Sequence, residues 1–204
     1  FLGTALFFYL VVGPVEETVK LLAVRLYAYG HDRFEAVLDG TVYGAVAGLG
    51  FATIENALYI TQNLDAPTAT AGLGIIGVGG GITAVRALAG PGHVIYSAFA
   101  GYYLGLAKFN REHRGPIIVK GLIVAALIHA TYNTTVGIGT GLIGFATGLD
   151  QLPSFLLYVL LYDGVFGFVL FRKIRRYNRT YRTVHDDERA EESAYVSEPT
   201  EFDP

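Results

Sequence analysis

Charged residues lie inside the apolar sequence near the start of the chain, where lipid would normally exclude them. Residues 1–15 have no charged side chain, Glu16 and Glu17 follow directly, and Lys20 lies one turn further on. A charge at the centre of a bilayer costs at least about 2.5–3.5 kcal/mol, so such residues face a protein interior or water and are functional by default. This stretch therefore predicts a chemical site.

Polar side chains recur in the later apolar segments. The complete set is Glu16, Glu17, Lys20, Glu55, Asn56, Arg86, His93, Ser97, His129 and Asn133. Because a helix rises about 1.5 Å per residue, the carboxylates and histidines of four helices reach depths within about 10 Å of one another, provided that residues 72–90 do not cross the membrane. We therefore expect these side chains to share one pocket.

Two hydrolytic chemistries suit this set. In the first, a carboxylate takes a proton from water, while histidine and asparagine stabilise the developing oxyanion, and no cofactor is needed. In the second, the same residues bind a metal such as zinc, which activates a bound water. The sequence has no HExxH motif and the ligands would come from separate helices, so we expect the cofactor-free chemistry, with zinc as the alternative. Ser97 is interpreted as a small packing residue.

The elements that must position these groups are membrane helices. Hydrophobic residues make up 52% of the chain and occur in long blocks separated by short polar loops, which is the pattern of membrane spans. We predict an all-α, polytopic transmembrane helix bundle. About five spans are expected, near residues 2–29, 39–63, 91–108, 117–137 and 153–171, with residues 139–151 as a glycine-rich loop or interfacial segment.

Two local patterns predict how the helices are shaped and packed. Gly13-Pro14 interrupts the first segment just before the acidic pair, and proline removes a backbone donor, so we expect a kink that frees backbone groups there. Gly40, Gly44 and Gly48 recur every four residues. That spacing predicts a groove that lets a neighbouring helix approach closely.

The distribution of basic residues predicts the topology. The loops around Arg33 and Arg111 and the cluster after Phe171 are basic, so we expect them to be cytoplasmic. Loops 63–71 and 139–151 have no Lys or Arg and should lie outside. All the basic loops lie on the cytoplasmic side only if the glycine-rich residues 72–90 do not cross the membrane and are re-entrant or interfacial. We predict a multi-pass protein of the cell membrane with a cytoplasmic tail.

The two ends of the chain differ from its middle. Residues 183–204 carry eight acidic residues against a single arginine, which predicts a disordered tail after a membrane-embedded domain of residues 1–182. The chain has no methionine, and we expect a portion before residue 1. It also has no cysteine, which excludes a thiolate nucleophile and disulfides.

Four blocks of the sequence resemble the PrsW-type intramembrane protease family. Residues 16–20, EETVK, resemble the EExxK motif, and residues 50–56, GFATIEN, resemble the GFAxxEN motif. Arg86 and His93, followed by GYYLG at 101–105, resemble the third block, and HATYN at 129–133 resembles HxxxN. The order and spacing of all four agree. This family is related to the superfamily of CAAX prenyl endopeptidases and bacteriocin-processing proteins.

The resemblance implies an intramembrane endopeptidase of the glutamate type. It assigns the water-activating base to Glu17 or Glu16, and orienting or polarising roles to His93, His129 and Asn133. Glu55 and Asn56 match the second block, and Lys20 and Arg86 would support the site. The implied partners are the lipid bilayer and a membrane-bound protein substrate, such as an anti-sigma-factor-like protein, and not nucleic acid.

A protein of another class, a proton- or cation-coupled membrane protein, would also place acids inside the membrane. The sequence shows no internal repeat of the kind that many transporters contain, which favours the peptidase.

Overall fold

The computed structural model of the chain describes residues 1–62 and 80–197, and the side chains at 60, 80–89 and 185–197 are not described. Every regular element in those ranges is a helix. In chain order these are α1 (Leu2–Phe7), a π-helical turn (Phe8–Val12), α2 (Gly13–Tyr27), α3 (Val37–Gln62), α4 (Gly80–Phe109), α5 (Arg114–Thr147) and α6 (Gln151–Ser197).

Within the described residues, three helical stretches are long and apolar enough to cross a membrane. They are Val37–Tyr59, Arg114–Thr147 and Gln151–Val184. Many of their large apolar side chains are exposed, including Leu58, Ile123 and Leu160, as expected of helices that face lipid. The prediction of an all-α helical membrane bundle is confirmed.

The backbone widens directly before the acidic pair. Pro14 has no amide hydrogen and cannot bond to the carbonyl of Leu10, which lies in the π-helical turn Phe8–Val12. Such a turn absorbs a missing or displaced bond without ending the helix. A Cβ placed on Gly13 would lie 2.7 Å from Ala126 O, so only glycine lets α2 approach α5 this closely. The expected interruption therefore takes the form of a π turn and brings Glu16 and Glu17 against α5.

The glycine groove of α3 receives α4. A Cβ on Gly40 would lie 2.8 Å from the amide nitrogen of Gly105, and one on Gly44 would lie 3.0 Å from Gly101 Cα. A Cβ on Gly48 would meet the backbone of His93 even more closely. Real side chains do not tolerate such distances, so the two helices touch through their backbones. This contact brings Glu55, further along α3, to the same level as His93.

The predicted start of a helix at Pro91 is wrong, because α4 begins at Gly80 and continues through the proline. A proline inside a membrane helix is tolerated where neighbouring groups satisfy the freed carbonyl. Residues 72–79 of the glycine-rich segment lie outside the described residues, so its re-entrant or interfacial placement stays a prediction.

The prediction of a loop at 139–151 is also wrong over most of its length, and its alternative, an interfacial segment, stays a prediction. Helix α5 continues to Thr147 and ends at Gly148, whose φ of 72° is the left-handed conformation typical of a helix C-terminus. A Cβ on Gly139 would collide with the ring of Tyr158. This glycine therefore allows α6 to approach α5, and does not break the helix.

The chain divides into two compact units, Phe1–Phe166 and Gly167–Pro204. The polar residues described below all belong to the first unit. The helical backbone of α6 extends to Ser197, into the acidic segment that the sequence predicts to be disordered. The division into domains 1–182 and 183–204 stays a prediction.

Candidate active site

Four helices each contribute a pair of inward-facing side chains, three or four residues apart, to one cluster. These pairs are Glu17 with Lys20 on α2, Phe51 with Glu55 on α3, His93 with Ser97 on α4, and His129 with Asn133 on α5. Residues at this spacing lie on the same face of a helix. Glu16, His93, His129, Glu55 and Asn133 line a cavity of about 370 Å³ beside the cluster.

Glu17 is the centre of the buried part of this cluster. Its side chain is 0% exposed. Its Oε1 accepts hydrogen bonds from Lys20 Nζ at 2.7 Å and His129 Nδ1 at 3.0 Å, and its Oε2 accepts one from Ser97 Oγ at 3.0 Å. Three donors stabilise the carboxylate form, and none of its surface lines the cavity.

Lys20 is the only cation that the described residues place in the cluster, and it is 2% exposed. Its ammonium donates to Glu17 Oε1 and lies 2.8 Å from His93 Nδ1 and 3.4 Å from Glu16 Oε2. It also lies 4.2 Å from the centroid of the Phe51 ring, which is a cation–π contact. The three N–H groups of the ammonium are thus all directed at acceptors.

These contacts set the protonation of both histidine rings. An ammonium group can only donate, so His93 Nδ1 accepts, and the hydrogen on Nε2 is donated to Glu55 Oε2 at 3.0 Å. His129 Nδ1 faces the carboxylate of Glu17 and donates to it, which in a neutral ring leaves the lone pair on Nε2. The two rings meet edge to face with centroids 4.9 Å apart.

Glu16 has the opposite surroundings to its neighbour. Adjacent helical residues point about 100° apart, and this turn directs Glu16 into the cavity with 18% of its side chain exposed. Its Oε2 lies 3.9 Å from both His93 Nδ1 and His129 Nε2, which is too long for a direct hydrogen bond. A group entering the cavity can therefore reach this carboxylate and the free nitrogen of His129 together.

Two residues singled out from the sequence lie elsewhere or are not described. Asn56 lies against α4 outside the cavity, where its Nδ2 would be 3.1 Å from a Cβ on Gly90. Arg86 belongs to α4, and its side chain lies outside the described residues. Asn133 lines the cavity together with the histidines.

Three further residues belong to the site or its surroundings. Ser97, interpreted from the sequence as a packing residue, is buried and also donates to Glu17. Tyr96 lines the cavity, and its hydroxyl donates to Asp163 Oδ1 at 3.0 Å. Asp163 is a single carboxylate in the apolar part of α6, so the cost of a charge in lipid could have revealed it from the sequence. Nothing in the sequence marks Tyr96 as its partner.

A metal ion would find suitable donors here but no free position on His93. Glu16, His93 and His129 each offer one ligand atom within 4.8 Å of the others, and two imidazoles with a carboxylate form a known catalytic zinc set. However, Lys20 Nζ occupies Nδ1 of His93 and Glu55 lies against its Nε2. In this arrangement a metal bound to His93 would have to displace Lys20 or Glu55.

Comparison with known proteins identifies the family. Residues 1–166 match the family model described as PrsW family intramembrane metalloprotease. Protease PrsW of Bacillus subtilis is 34% identical over 123 residues, 59% of this chain and 50% of that protein. Protease PrsW of Halalkalibacterium halodurans is 33% identical over 125 residues, 61% of this chain and 52% of that protein.

A third relative, Protease PrsW of Shouchella clausii, is 31% identical over 126 residues, with 61% of this chain and 52% of that protein covered. The chain spans about half the length of the curated relatives it matches. No solved structure matches it. The family match over residues 1–166 confirms the resemblance drawn from the four motif blocks: the chain is an integral membrane protein and belongs to the PrsW family of intramembrane proteases.

Proposed function

We propose that this chain carries the active site of an intramembrane endopeptidase, which hydrolyses a peptide bond of a membrane-associated protein with water activated by Glu16. The observation that carries the proposal is the orientation of the acidic pair. Glu16 faces the cavity 3.9 Å from the free nitrogen of His129, whereas all of Glu17 is buried among donors.

The reaction uses groups on the wall of the cavity. A water between Glu16 and His129 attacks the carbonyl carbon of the substrate and transfers a proton to the Glu16 carboxylate. The oxyanion that forms accepts a hydrogen bond from the side-chain amide of Asn133. When the intermediate collapses, the C–N bond breaks, and Glu16 returns the proton to the departing nitrogen. The reaction consumes one water and forms one carboxylic acid and one amine, so it balances.

The buried residues hold these groups in place. Glu17 accepts the Nδ1 hydrogen of His129 and so turns the Nε2 lone pair toward the water. Lys20 fixes His93 with its hydrogen on Nε2, and that hydrogen positions Glu55 on the opposite side of the cavity. A site fixed in advance avoids the cost of arranging its dipoles during the reaction.

The rest of the cavity wall suits a substrate that arrives through lipid. Phe7, Phe8, Val12 and Val136 line it beside the polar groups, so apolar residues next to the scissile bond would pack there. A membrane-bound protein of the anti-sigma-factor type is a substrate of this kind. We place the basic segments and the tail in the cytoplasm of the cell, which turns the cavity toward the outer leaflet.

A metal-dependent peptidase is the second candidate. The donor set of Glu16, His93 and His129 favours it, as does the description of the matching family. In this arrangement a metal could bind His93 only by displacing the ammonium of Lys20 or the carboxylate of Glu55. The cofactor-free reaction needs no such displacement.

A comparison of newly formed protein termini tests the proposal. Membranes from cells that express the wild-type protein, Glu16→Gln or the control Glu35→Gln are compared, since Glu35 is an exposed glutamate outside the site. We expect new termini within or beside apolar segments in the wild-type and control samples and their loss with Glu16→Gln. The proposal would be overturned if the Glu16→Gln sample contained the same new termini as the wild type. It would also be overturned if the wild-type sample contained no termini that are absent from cells without the protein.

A further inference from the structure

Asp163 is a buried carboxylate that the proposed reaction does not use. It lies on α6 and is 7% exposed. Its Oδ1 accepts a hydrogen bond from the Tyr96 hydroxyl at 3.0 Å, and its Oδ2 has no hydrogen-bond partner among the described residues. An unsatisfied carboxylate oxygen in apolar surroundings is costly. A residue kept at this cost requires an explanation beyond packing.

Tyr96 connects Asp163 to the two histidines. The tyrosine is 1% exposed, and its ring lies against both imidazoles, with centroids 5.4 Å from His129 and 6.3 Å from His93. The same ring lines the cavity. Its hydroxyl is held at the far end by Asp163. The orientation of one aromatic ring therefore depends on a carboxylate from a different helix.

Gly92 provides the space in which the hydroxyl lies. It precedes Tyr96 by one turn of α4, and a Cβ on Gly92 would lie 2.5 Å from the Tyr96 hydroxyl oxygen and 2.8 Å from Cζ. Any larger residue would therefore displace the hydroxyl. The local structure of α4 thus fits a tyrosine in this rotamer, with its hydroxyl directed at Asp163.

We infer that Tyr96 and Asp163 are a pair of positioning residues for His129 and His93. The hydrogen bond to Asp163 fixes the Tyr96 ring, and the ring supports the imidazoles from the side of the cavity wall. Helix α6 would then control the geometry of the active site, although none of its described residues lines the cavity. This inference rests on the proposed function, since positioning matters only if the histidines take part in the reaction.

Four variants separate positioning from simple stabilisation. Asp163→Leu removes the acceptor, Tyr96→Phe removes the donor, and the double variant removes both without leaving a buried polar group. Asp163→Asn keeps an oxygen that can accept from the tyrosine. The control is Ser154→Ala on the same helix as Asp163, which removes a part-buried hydrogen bond from the serine hydroxyl to Leu149 O, away from the cavity.

The kinetic expectation is a loss in kcat with KM nearly unchanged. Misplacing a catalytic group by 1 Å can cost about 100-fold, so we expect Asp163→Leu, Tyr96→Phe and their double variant to lower kcat by up to about that factor. Because one hydrogen bond is involved, the double variant should be no worse than either single variant. Asp163→Asn should keep most of the activity and Ser154→Ala all of it. Equal kcat in Asp163→Asn and Asp163→Leu would overturn the inference.

A second measurement requires no substrate. NMR spectra of the protein with ¹³C-labelled histidine in micelles report the ring resonances of His93 and His129. The ring current of the adjacent Tyr96 shifts these resonances. We expect these resonances to move away from their wild-type positions, and by the same amount, in Asp163→Leu, Tyr96→Phe and the double variant. In Asp163→Asn and Ser154→Ala they should stay at the wild-type positions. Unchanged resonances in the first three would overturn the positioning role. If the wild type cleaved nothing, the proposed function alone would fail, because the resonances would still report the pair.

Discussion

Two neighbouring glutamates of α2 lie in opposite surroundings. Glu17 is fully buried and accepts hydrogen bonds from an ammonium, an imidazole and a hydroxyl. Glu16 has its nearest described donor at 3.4 Å and faces the cavity. A carboxylate that already accepts from three donors is a weak acceptor for a further proton. The comparison shows that two adjacent acidic residues can have different surroundings, and under the proposed function one member builds the site and the other reacts.

Two residues that contact Glu17 and two that share the cavity with Glu16 show a similar contrast. Lys20 and Ser97, which contact Glu17, are buried and do not line the cavity. Glu55 and Asn133 share the cavity with Glu16. Substitutions on the buried side should therefore lower the free energy of unfolding, whereas those on the cavity side should lower kcat.

The largest expected effect is on stability, from Glu17→Gln. It removes the charge that compensates Lys20, and breaking a buried ion pair from one side costs about 3–5 kcal/mol. The free energy of unfolding in mixed micelles measures this loss. The double variant Glu17→Gln/Lys20→Met should recover part of it, because the buried ammonium is removed with its partner, while Glu16 loses its contact with Lys20. A Glu17→Gln protein as stable as the wild type would contradict the structural role of Glu17.

Asn133→Ala should affect the reaction and not the fold. Loss of one oxyanion donor typically lowers kcat by about 10²–10³-fold, and the side chain lies at the cavity wall, so unfolding should change little. The control is Thr134→Val, the next residue of α5, whose hydroxyl bonds to Ala130 O in its own helix. Steady-state kinetics on a substrate found by the terminus comparison would show the difference, and an unchanged kcat in Asn133→Ala would remove Asn133 from the mechanism.

Gly44→Ala should have a smaller effect, through the contact of α3 with α4. The new methyl group would meet the backbone of Ser97 and Gly101, and such overpacking costs about 1–3 kcal/mol. Gly50→Ala is the matched control on the same helix, because a Cβ there meets nothing within 4 Å. Thermal unfolding of both variants in detergent measures the effect. Equal stability of the two would show that close backbone contact is not required.

The smallest expected effect is that of metal removal. Because Lys20 occupies Nδ1 of His93, we expect a chelator to leave the cleavage rate unchanged and purified protein to contain no stoichiometric zinc. The measurement is the rate before and after chelation, together with elemental analysis. A rate that falls with chelation and returns with zinc would establish the metal-dependent candidate instead.

Much of the bundle could be predicted from the sequence because its rules are local. Apolar blocks predicted the helices, and the four-residue spacing of Gly40, Gly44 and Gly48 predicted the groove that α4 fills. The ends of the helices were harder. Gly139 resembles a loop residue until Tyr158, from another helix, is known to pack on it, and Pro91 resembles a helix start although α4 passes through it.

The candidate site could be predicted in its members but not in its geometry. Depth along each helix indicated that Glu16, Glu17, Glu55, His93 and His129 would share a pocket, and the structure places all of them except Glu17 at the cavity wall. Which glutamate faces the cavity depends on the rotation of α2 against its neighbours, including the close contact with α5 at Gly13. The sequence carries no local signal for that rotation. The Tyr96–Asp163 contact joins residues 67 positions apart and is likewise visible only in three dimensions.

The cleavage rate per folded molecule of Glu16→Gln and Glu17→Gln, measured side by side, tests the division between the two glutamates most directly. Correction for the folded fraction removes the effect of stability. We expect Glu16→Gln to be folded with a rate about 10²–10⁴-fold below the wild type, as for loss of a general base, and folded Glu17→Gln to retain the higher rate of the two. A folded, inactive Glu17→Gln beside an active Glu16→Gln would contradict the assignment of Glu16 as the base.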